Sequence, residues 1–267
     1  WCKRYDGTWQ SLKEKSHSPH HHTSQHTQAE EKMIYHSFQN KFLRWGWDGV
    51  YEDLLKQGYT RSLSGMVYAA KRVGLGSKIK RKAPRKNDRR FPECLLPGEK
   101  VQIDVKEVPF NCLKKSAKIN EKRFYQYTAI DECTRVRFIY GFENSVRFLK
   151  MVQQVFPFKI KVIQTDNGTE FTYKYISDDV SCPFDLALTE AGIEHKLIPP
   201  RTPWHNGKVE RSHRNDQRYF YDWEKFGNID ELNRKLREHL HWSNNKPMRI
   251  FAGKTPLAIL RNKLNQG

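Results

Sequence analysis

Residues 160–171 read IKVIQTDNGTEF, a short apolar run that ends in a polar turn. The run IKVIQT is typical of a buried β-strand. The sequence Asp166-Asn167-Gly168 that follows it is typical of a turn. An acidic side chain is therefore predicted at the carboxyl end of a strand.

Predicted strands and a helix precede this stretch. KVQIDVKEV (100–108), RFYQYTAID (123–131) and VRFIYGF (136–142) have the composition of strands, and ECTR (132–135) is the hairpin turn between the last two. Residues 145–156 carry apolar side chains at the spacing of one helix face. An antiparallel meander and a helix therefore precede the strand predicted at 160–165.

Further helices and one strand follow it. Residues 186–191 predict a helix, residues 193–198 predict a strand, and a long helix begins near Asn206. The order is three strands, helix, strand, helix, strand, helix. This order predicts an α/β fold, with a mixed five-stranded sheet and helices on its faces.

Three acidic residues lie in or next to the elements predicted here. Asp104 lies midway along the first strand, Asp166 ends the fourth strand, and Glu210 lies about one turn inside the last helix. The first and fourth strands can be neighbours in a right-handed crossover, so the three carboxylates can converge. Converging carboxylates repel one another unless a cation lies among them. Oxygen ligands without Cys or His favour Mg²⁺ or Mn²⁺, and two such ions suit phosphoryl transfer.

The composition points to a polyanionic partner. Lys and Arg number 48 against 30 Asp and Glu, a formal net charge of +18. Nucleic acid is the simplest partner, although ribosomal and membrane-surface proteins share such a charge. No apolar run approaches the roughly 18–20 residues of a membrane-spanning helix. The five cysteines form no C-x-x-C pair and predict free thiols in a reducing cytosol.

The amino-terminal part predicts a small all-α, helix-turn-helix DNA-binding domain. Residues 29–39, 48–56 and 63–73 are three helical segments, the last with polar and basic groups suited to DNA. Any small three-helix bundle would give the same pattern, so that alternative stays open. The basic stretch 77–90 is expected to follow phosphates. The DNA contacts predicted in these two parts are Lys71, Arg72, Lys78, Lys80, Arg81, Lys82, Arg85 and Lys86.

Several motifs resemble those of the DDE transposase and retroviral integrase superfamily, and they are closest to bacterial insertion-sequence transposases. IDVKEVP (103–109) resembles the strand of the first acid, QTDNGTEF (164–171) the turn of the second, and TPWHNGKVERSHR (202–214) the helix of the third. WSNNKPMRIFAGKTPLAIL (242–260) is similar to the tail that follows the family's catalytic domain. The match therefore covers most of the chain.

The resemblance implies a ribonuclease H-like catalytic core. In it, Asp104, Asp166 and Glu210 are the catalytic and metal-binding residues, hold two Mg²⁺ ions and cleave and join DNA ends. The implied partners are double-stranded DNA, as element ends and target, and further copies of the chain in a synaptic complex. A bacterial, cytoplasmic, nucleoid-associated protein is expected. A catalytically silent DNA-binding regulator and a nuclease without joining activity stay open as alternatives.

The helix that carries Glu210 adds expected DNA contacts. Arg211 and Arg214 belong to a basic stripe on this helix, and Lys208 and Arg214 are expected to hold the phosphates of the DNA end. Trp204, in the loop before the helix, either stacks on a splayed base or anchors the loop by packing.

The chain divides into five predicted parts. They are the end of a first helix-turn-helix unit with a polar linker (1–29), the helix-turn-helix domain (30–76), a basic linker (77–97), the catalytic core (98–225) and a helical tail (226–267). The His-rich stretch 17–26 lacks the paired cysteines of an integrase zinc site and is predicted to be a polar linker. Because the chain begins at Trp1, we expect an upstream part to be missing.

Overall fold

The computed structural model describes residues 5–13, 25–76, 93–115, 123–142, 144–176 and 180–265. Five strands lie in these stretches: β1 (Val101–Glu107), β2 (Tyr125–Asp131), β3 (Arg137–Gly141), β4 (Val162–Thr165) and β5 (Glu194–Leu197). The α-helices there are α1 (Gln28–Lys56), α2 (Leu63–Arg72), α3 (Ser145–Val155), α4 (Pro183–Glu190), α5 (Gly207–Asp216), α6 (Ile229–Asn245) and α7 (Pro256–Leu264). Every predicted strand is confirmed.

The strands form one mixed sheet in the order β3-β2-β1-β4-β5. β2 is antiparallel to β1 and to β3, whereas β4 is parallel to both β1 and β5. The connection through α3 therefore returns the chain to the free side of β1, as the crossover rule allows. This is the ribonuclease H-like arrangement, and the predicted α/β fold class is confirmed.

The two faces of the sheet differ because side chains alternate along each strand. On one face Val101, Ile103 and Ala129 are fully buried in a core with Phe148 of α3 and Leu188 of α4. The other face, across which α5 lies, carries polar side chains that are equally buried. These are Gln102, Gln126, Thr128 and Gln164. Buried polar groups need partners, so this face constrains how α5 can lie.

Helix α6 covers the outer edge of the sheet, where β3 has no neighbouring strand. The Asn233 side chain accepts a hydrogen bond from the Gly141 N–H over 2.7 Å and donates to the Gly141 carbonyl over 3.1 Å. Asn244 pairs with the backbone of Arg137 in the same way, over 3.1 and 2.9 Å. Two side-chain amides thus satisfy an edge that would otherwise expose unpaired backbone groups.

A buried charge network joins α5 and α6 to the sheet. Asp216, the last residue of α5, is fully buried, and Arg137 donates to both of its carboxylate oxygens over 2.6 and 2.9 Å. His239 on α6 and Gln126 on β2 also contact this carboxylate, over 2.8 and 2.9 Å. Burial alone would raise the pKa of Asp216, but Arg137 and His239 together hold it well below its ordinary value.

The amino-terminal helices form a separate small core. α1 bends sharply at Gly46, whose φ of 63° and ψ of −158° are not helical. Its first half runs farther than the predicted 29–39, and its second half confirms the helix predicted over 48–56. α2 begins after Ser62, whose side chain caps it. This helix confirms the one predicted over 63–73. The helix-turn-helix interpretation and the five domain boundaries remain predictions.

Residues on both sides of the kink in α1 pack on the sheet domain. Arg44 forms an ion pair with Glu224 over 2.6 Å. The rings of Trp45 and Trp242 lie 4.5 Å apart, and the indole N–H of Trp242 donates to Glu52 over 2.8 Å. Aromatic packing and charge together hold α1 against the end of α6.

Three predictions from composition concern residues within the described stretches. Cys94, Cys112, Cys133 and Cys182 are free thiols. No helix in the stretches given above is long and apolar enough to cross a bilayer. Only the end of the His-rich stretch is described, and there His26 Nε2 lies 2.6 Å from the Tyr59 hydroxyl.

Candidate active site

Asp104 lies in the middle of β1, on the polar face that α5 covers. It stands opposite Thr128 of β2, and its Oδ2 lies 3.3 Å from Nδ1 of His213 on α5. The second ring nitrogen of His213, Nε2, lies 3.0 Å from the Thr128 hydroxyl oxygen. One imidazole therefore bridges Asp104 and its cross-strand neighbour, and it fixes α5 over the centre of β1.

Asp166 follows directly after β4, next to the strand of Asp104. Burial raises the pKa of Asp166 above its ordinary value, and the negative charge of Asp104 adds to the rise. A hydrogen bond from the Gly168 N–H to Asp166 Oδ1, over 3.1 Å, acts in the opposite direction. The structure thus brings these two predicted acids within electrostatic range of each other.

Glu170 is a further carboxylate close to Asp166 and Asp104, and it was not among the acids predicted from the sequence. Burial raises the pKa of Glu170, and the charges of Asp166 and Asp104 raise it further. Gly168 makes room for this side chain, because a Cβ there would lie 2.7 Å from Glu170 Oε2. The sequence gives little indication that Glu170 belongs to the site, because a glutamate after a turn is usually solvent-exposed.

Glu210 lies one turn inside α5, as predicted. It precedes His213 by three residues and so shares a helix face with it. The Glu210 side chain is half-buried and has no hydrogen bond or ion pair with any described residue. Across the described stretches, no three His, Cys, Asp or Glu side chains are grouped closely enough to hold a metal ion. The convergence of Glu210 with the other two acids therefore stays a prediction.

The chemistry of these side chains nevertheless suits a divalent cation. Asp104, Asp166 and Glu170 carry hard oxygen atoms of the kind that Mg²⁺ and Mn²⁺ prefer, although the three carboxylates would have to move closer together to hold one ion. Burial first, and repulsion among the carboxylates second, raise the pKa values of Asp166 and Glu170. A cation among these oxygens would favour the ionised carboxylates.

Two glutamines hold the beginning of α5 against the sheet. Gln102 Oε1 accepts hydrogen bonds from the backbone N–H groups of Lys208 and Val209, over 3.1 and 3.0 Å. Gln102 Nε2 and Gln164 Nε2 both donate to the carbonyl of His205, over 3.1 and 2.8 Å. Side chains from β1 and β4 thus satisfy backbone groups at a helix start, which would otherwise lack partners.

A repeated pattern in the sequence marks these glutamines. QID at 102–104 and QTD at 164–166 each place a Gln two residues before a predicted acid. Residues two apart share a face of a strand, so each glutamine lies on the same face as the acid that follows it. The pattern could have identified the pair, but not their partners, which lie far along the chain.

Lys208, a predicted DNA contact, has an acidic partner in the structure. Glu132, only 4% exposed, lies 2.7 Å from Lys208 Nζ and 3.0 Å from Lys100 Nζ. Gln102 also donates to Glu132, over 2.7 Å. Burial would raise the pKa of Glu132, but the two lysines hold it below its ordinary value. Lys208 therefore helps to anchor the start of α5, and its contact with phosphate stays a prediction.

Behind Asp166, a chain of side chains supports the end of β4. His195 on β5 is hydrogen-bonded through Nδ1 to the carboxylate of Asp185, and its Nε2 lies 2.8 Å from the Thr165 hydroxyl oxygen. The Thr165 hydroxyl donates to the carbonyl of Asp166 over 2.8 Å. Thr165 is fully buried, so this series of Asp, His and hydroxyl cannot reach a substrate. It positions the backbone of Asp166.

The other predicted DNA contacts lie in different settings. Lys71 is exposed on α2, whereas Arg72 beside it is ion-paired with a glutamate of α1. Arg211 and Arg214 are exposed on α5. Trp204 is 48% exposed in the turn before α5. The predicted contacts that lie outside the described residues are Lys78, Lys80, Arg81, Lys82, Arg85 and Lys86.

Two family models match this part of the chain, and both are described as integrase core domain. One matches residues 96–203 and the other matches residues 191–247. Together they span the sheet, the carboxylate pocket and helices α5 and α6.

The chain is also similar to curated proteins. It is 29% identical over 212 residues to the protein named integrase ORF3 in Spiroplasma virus SpV1-C74, which covers 67% of this chain and 58% of that protein. It is 31% identical over 125 residues to the retrovirus-related Pol polyprotein from transposon RE2 of Arabidopsis thaliana, which covers 44% of this chain and 7% of that protein. The chain thus spans little more than half of the first relative and a small part of the second.

Solved structures of integrases are similar to this chain as well. A chain of the simian T-cell lymphotropic virus intasome, in complex with PP2A regulatory subunit B56 gamma, matches with a TM-score of 0.49 and 19% identity, over 86% of this chain and 74% of that chain. The HTLV-2 integrase catalytic core domain in complex with magnesium matches with a TM-score of 0.42 and 22% identity, over 62% of this chain and 97% of that chain.

Proposed function

Since this chain belongs to the DDE transposase and retroviral integrase superfamily through its integrase core domain, we propose that it is a DNA transposase or integrase. It cleaves a DNA strand at the end of a mobile element and joins the resulting 3′ end to target DNA. The observation that carries this proposal is the placement of Asp104 and Asp166 on neighbouring strands, where burial and repulsion raise the pKa of Asp166.

The proposal assigns divalent-cation binding to Asp104, Asp166 and Glu210, with Glu170 as a further oxygen donor of the pocket. When bound, two Mg²⁺ ions, or Mn²⁺ in their place, would generate a nucleophilic oxygen and stabilise the departing 3′ oxygen. The chain needs no Ser or Tyr nucleophile for this reaction. Its own contribution is a set of half-buried oxygen ligands on a strand, a turn and a helix.

Positioning residues complete the site. Gln102 and Gln164 hold the start of α5, and with it Glu210, against β1 and β4. His195 acts through Thr165 on the backbone of Asp166. These contacts support the proposal because two-metal chemistry depends on a closely held ligand geometry.

The proposed partner is double-stranded DNA, held by a homo-oligomer that brings two element ends together in a bacterial nucleoid. We assign DNA binding to α2 with Lys71 and Arg72, to the basic stretch 77–90, to Arg211 and Arg214 on α5, and to Trp204 in the turn before it. The net charge of +18 supports this assignment.

A second candidate is a DNA-binding protein of the same fold without catalysis. The contact between Asp104 and His213 favours it, because the imidazole already occupies a carboxylate oxygen that a metal ion would need. The first candidate requires that a divalent cation compete with this contact.

The experiment that tests the proposal uses labelled duplexes from candidate element ends, incubated with the full chain with and without Mg²⁺. We expect shortened strands and longer joined strands in Mg²⁺ only. Asp104→Asn and Asp166→Asn should remove both products and leave DNA binding nearly unchanged, whereas Asp230→Asn at the exposed start of α6 should behave like wild type. Cleavage without joining would support a nuclease, and DNA binding without any product would support the second candidate.

A further inference from the structure

A basic groove lies along a flank of α5 that differs from the carboxylate flank. Arg211 and Asn215 share one face of α5, whereas Glu210 and His213 share another. Arg218 lies in the π-helical turn Gln217–Tyr221 that continues the helix. Two adjoining cavities of about 640 and 220 Å³ form the groove. Its lining includes Arg135, Arg211, Arg218, Lys246 and Arg249, and we call it the arginine groove.

The groove holds more positive charge than the protein neutralises. Asp48 is the one acidic side chain among the described residues that line it, and it is paired with Lys246 over 3.1 Å. Arg135 lies 3.8 Å from Glu93, whose side chain is 70% exposed. Within the described part of the chain, the groove arginines with no carboxylate within ion-pair distance are Arg211, Arg218 and Arg249.

Lys246 shows the electrostatic consequence of this crowding. Burial lowers the pKa of Lys246, Asp48 opposes the change, and the charges of Arg137 and Arg211 lower it further. A cleft with one sign of charge and low-dielectric walls concentrates ions of the opposite sign. An anionic ligand would relieve the repulsion among these side chains.

The kink in α1 forms the wall of the groove opposite α5. The Arg218 guanidinium packs directly on Gly46, since a Cβ there would lie 3.3 Å from Arg218 Nη2. Trp47, the next residue, lines the cavity. The positive φ at Gly46 and the absence of its side chain therefore allow the close approach that shapes the groove.

The groove also lies beside the two points where the described chain adjoins the most basic part of the sequence. Gly76 packs on Trp47, because a Cβ at Gly76 would lie 2.6 Å from the indole ring. Glu93 lies at Arg135. The stretch 77–90, between them in sequence, contains eight Lys or Arg and one Asp. The described residues that flank this stretch, Gly76 and Glu93, therefore contact side chains that line the groove.

We propose that the arginine groove binds the sugar–phosphate backbone of double-stranded DNA as it runs alongside α5. The inference rests on the proposed function and adds a second surface to it, on another flank of the helix that carries Glu210. Guanidinium groups present paired, coplanar donors that match phosphate oxygens. A continuous row of phosphates can contact several of these arginines at once, which makes it the ligand that best balances the groove.

The test measures binding of the full chain to a labelled 30-base-pair duplex of mixed sequence by fluorescence anisotropy, in EDTA and over a range of KCl concentrations. The groove variant is Arg211→Ala with Arg249→Ala. The matched control is Arg237→Ala with Arg261→Ala, two arginines that are also exposed on helices. Thermal unfolding checks that both double variants are folded.

We expect the groove variant to bind about tenfold or more weakly at moderate salt, with a salt slope smaller by about 2, since each lost phosphate contact removes about 0.9 from it. The control should match wild type. Arg211→Lys with Arg249→Lys should retain most of the salt slope, because the charge remains. A groove variant that binds like the control, with an unchanged slope, would overturn the proposal.

The assay in EDTA separates this proposal from the proposed function. If Mg²⁺-dependent cleavage is absent but the groove variant binds weakly, the groove assignment stands and the enzymatic function fails. If cleavage occurs while the groove variant binds like wild type, the function stands and the groove assignment fails.

Discussion

The side-chain oxygen of Gln102 accepts a hydrogen bond from the backbone N–H of Val209 over 3.0 Å. Gln102 lies two residues before Asp104 on β1, and Val209 directly precedes Glu210 on α5. This bond therefore connects the strand of the first predicted acid to the helix of the third. The position of Glu210 relative to the sheet depends on an uncharged side chain.

Gln102→Leu is expected to destabilise the protein by about 2–3 kcal/mol, because it leaves the backbone N–H groups of Lys208 and Val209 without their partner and removes one of the hydrogen bonds to Glu132. Urea unfolding measures the loss. Gln164→Leu is the matched control, since it removes a single bond to the His205 carbonyl, and its cost should be about 1 kcal/mol. Equal losses for the two variants would contradict the role given to Gln102.

Asp166→Asn is expected to raise the melting temperature in the absence of metal by about 2–4 °C, because it removes a half-buried charge that Asp104 repels. Added Mn²⁺ or Mg²⁺ should stabilise wild type but not this variant, since only the wild-type pocket binds the ion. Differential scanning fluorimetry with a metal titration measures both effects. A metal-induced shift of the same size in Asp166→Asn would count against a cation site there.

Arg137→Met is expected to cost about 3–5 kcal/mol, because it leaves the Asp216 carboxylate buried without its bidentate partner. Adding Asp216→Asn to Arg137→Met should recover part of this loss, because no charge then remains unpaired. Chemical denaturation of the two variants gives the comparison. A loss below about 1 kcal/mol for Arg137→Met would show that the pair is not desolvated as described.

The stability of the protein should decrease as the pH falls below 6.5. Burial lowers the pKa of His239 below its ordinary value of 6.5, so the folded state favours the neutral imidazole. This contribution to stability is lost as the pH falls from 6.5 towards the folded pKa. The stability that the lowered pKa of Asp216 provides is present above 3.8 and is lost only below it. Unfolding measured between pH 8 and pH 5 should show a smaller decline in His239→Gln than in wild type. Identical pH profiles would exclude His239 as a cause.

The sequence was sufficient to predict the strands, the order of elements and the adjacency of β1 and β4. Strand-like composition identified β1, β2 and β3, and the crossover rule limited where β4 could lie. The extension of α1 up to Gly46 was not predicted, because WGWDG reads as a turn whereas the helix continues to that glycine and resumes after it.

The closeness of Asp104 and Asp166 could be predicted from the order of the strands, whereas their role in catalysis stays a prediction. The partners of buried polar residues were not predictable, because they come from distant parts of the chain. From the sequence, Arg137 is an ordinary residue of a strand. Its structural role depends on its ion pair with Asp216 of α5. The contact of Asp104 with His213 likewise arises from the docking of α5 on the sheet.

The proposal that Glu210 acts with Asp104 and Asp166 is tested most directly by measuring how fast Glu210→Gln cleaves an element-end duplex in Mg²⁺. The measurement is made in single turnover with protein in excess. The matched control is Glu238→Gln, whose side chain is 72% exposed on α6. The account predicts that Glu210→Gln binds the duplex like wild type but cleaves it at least about a hundredfold more slowly, as expected when an electrostatic or metal-holding group of a reaction site is lost. Cleavage by Glu210→Gln at the wild-type rate would contradict the claim that Glu210 acts with Asp104 and Asp166.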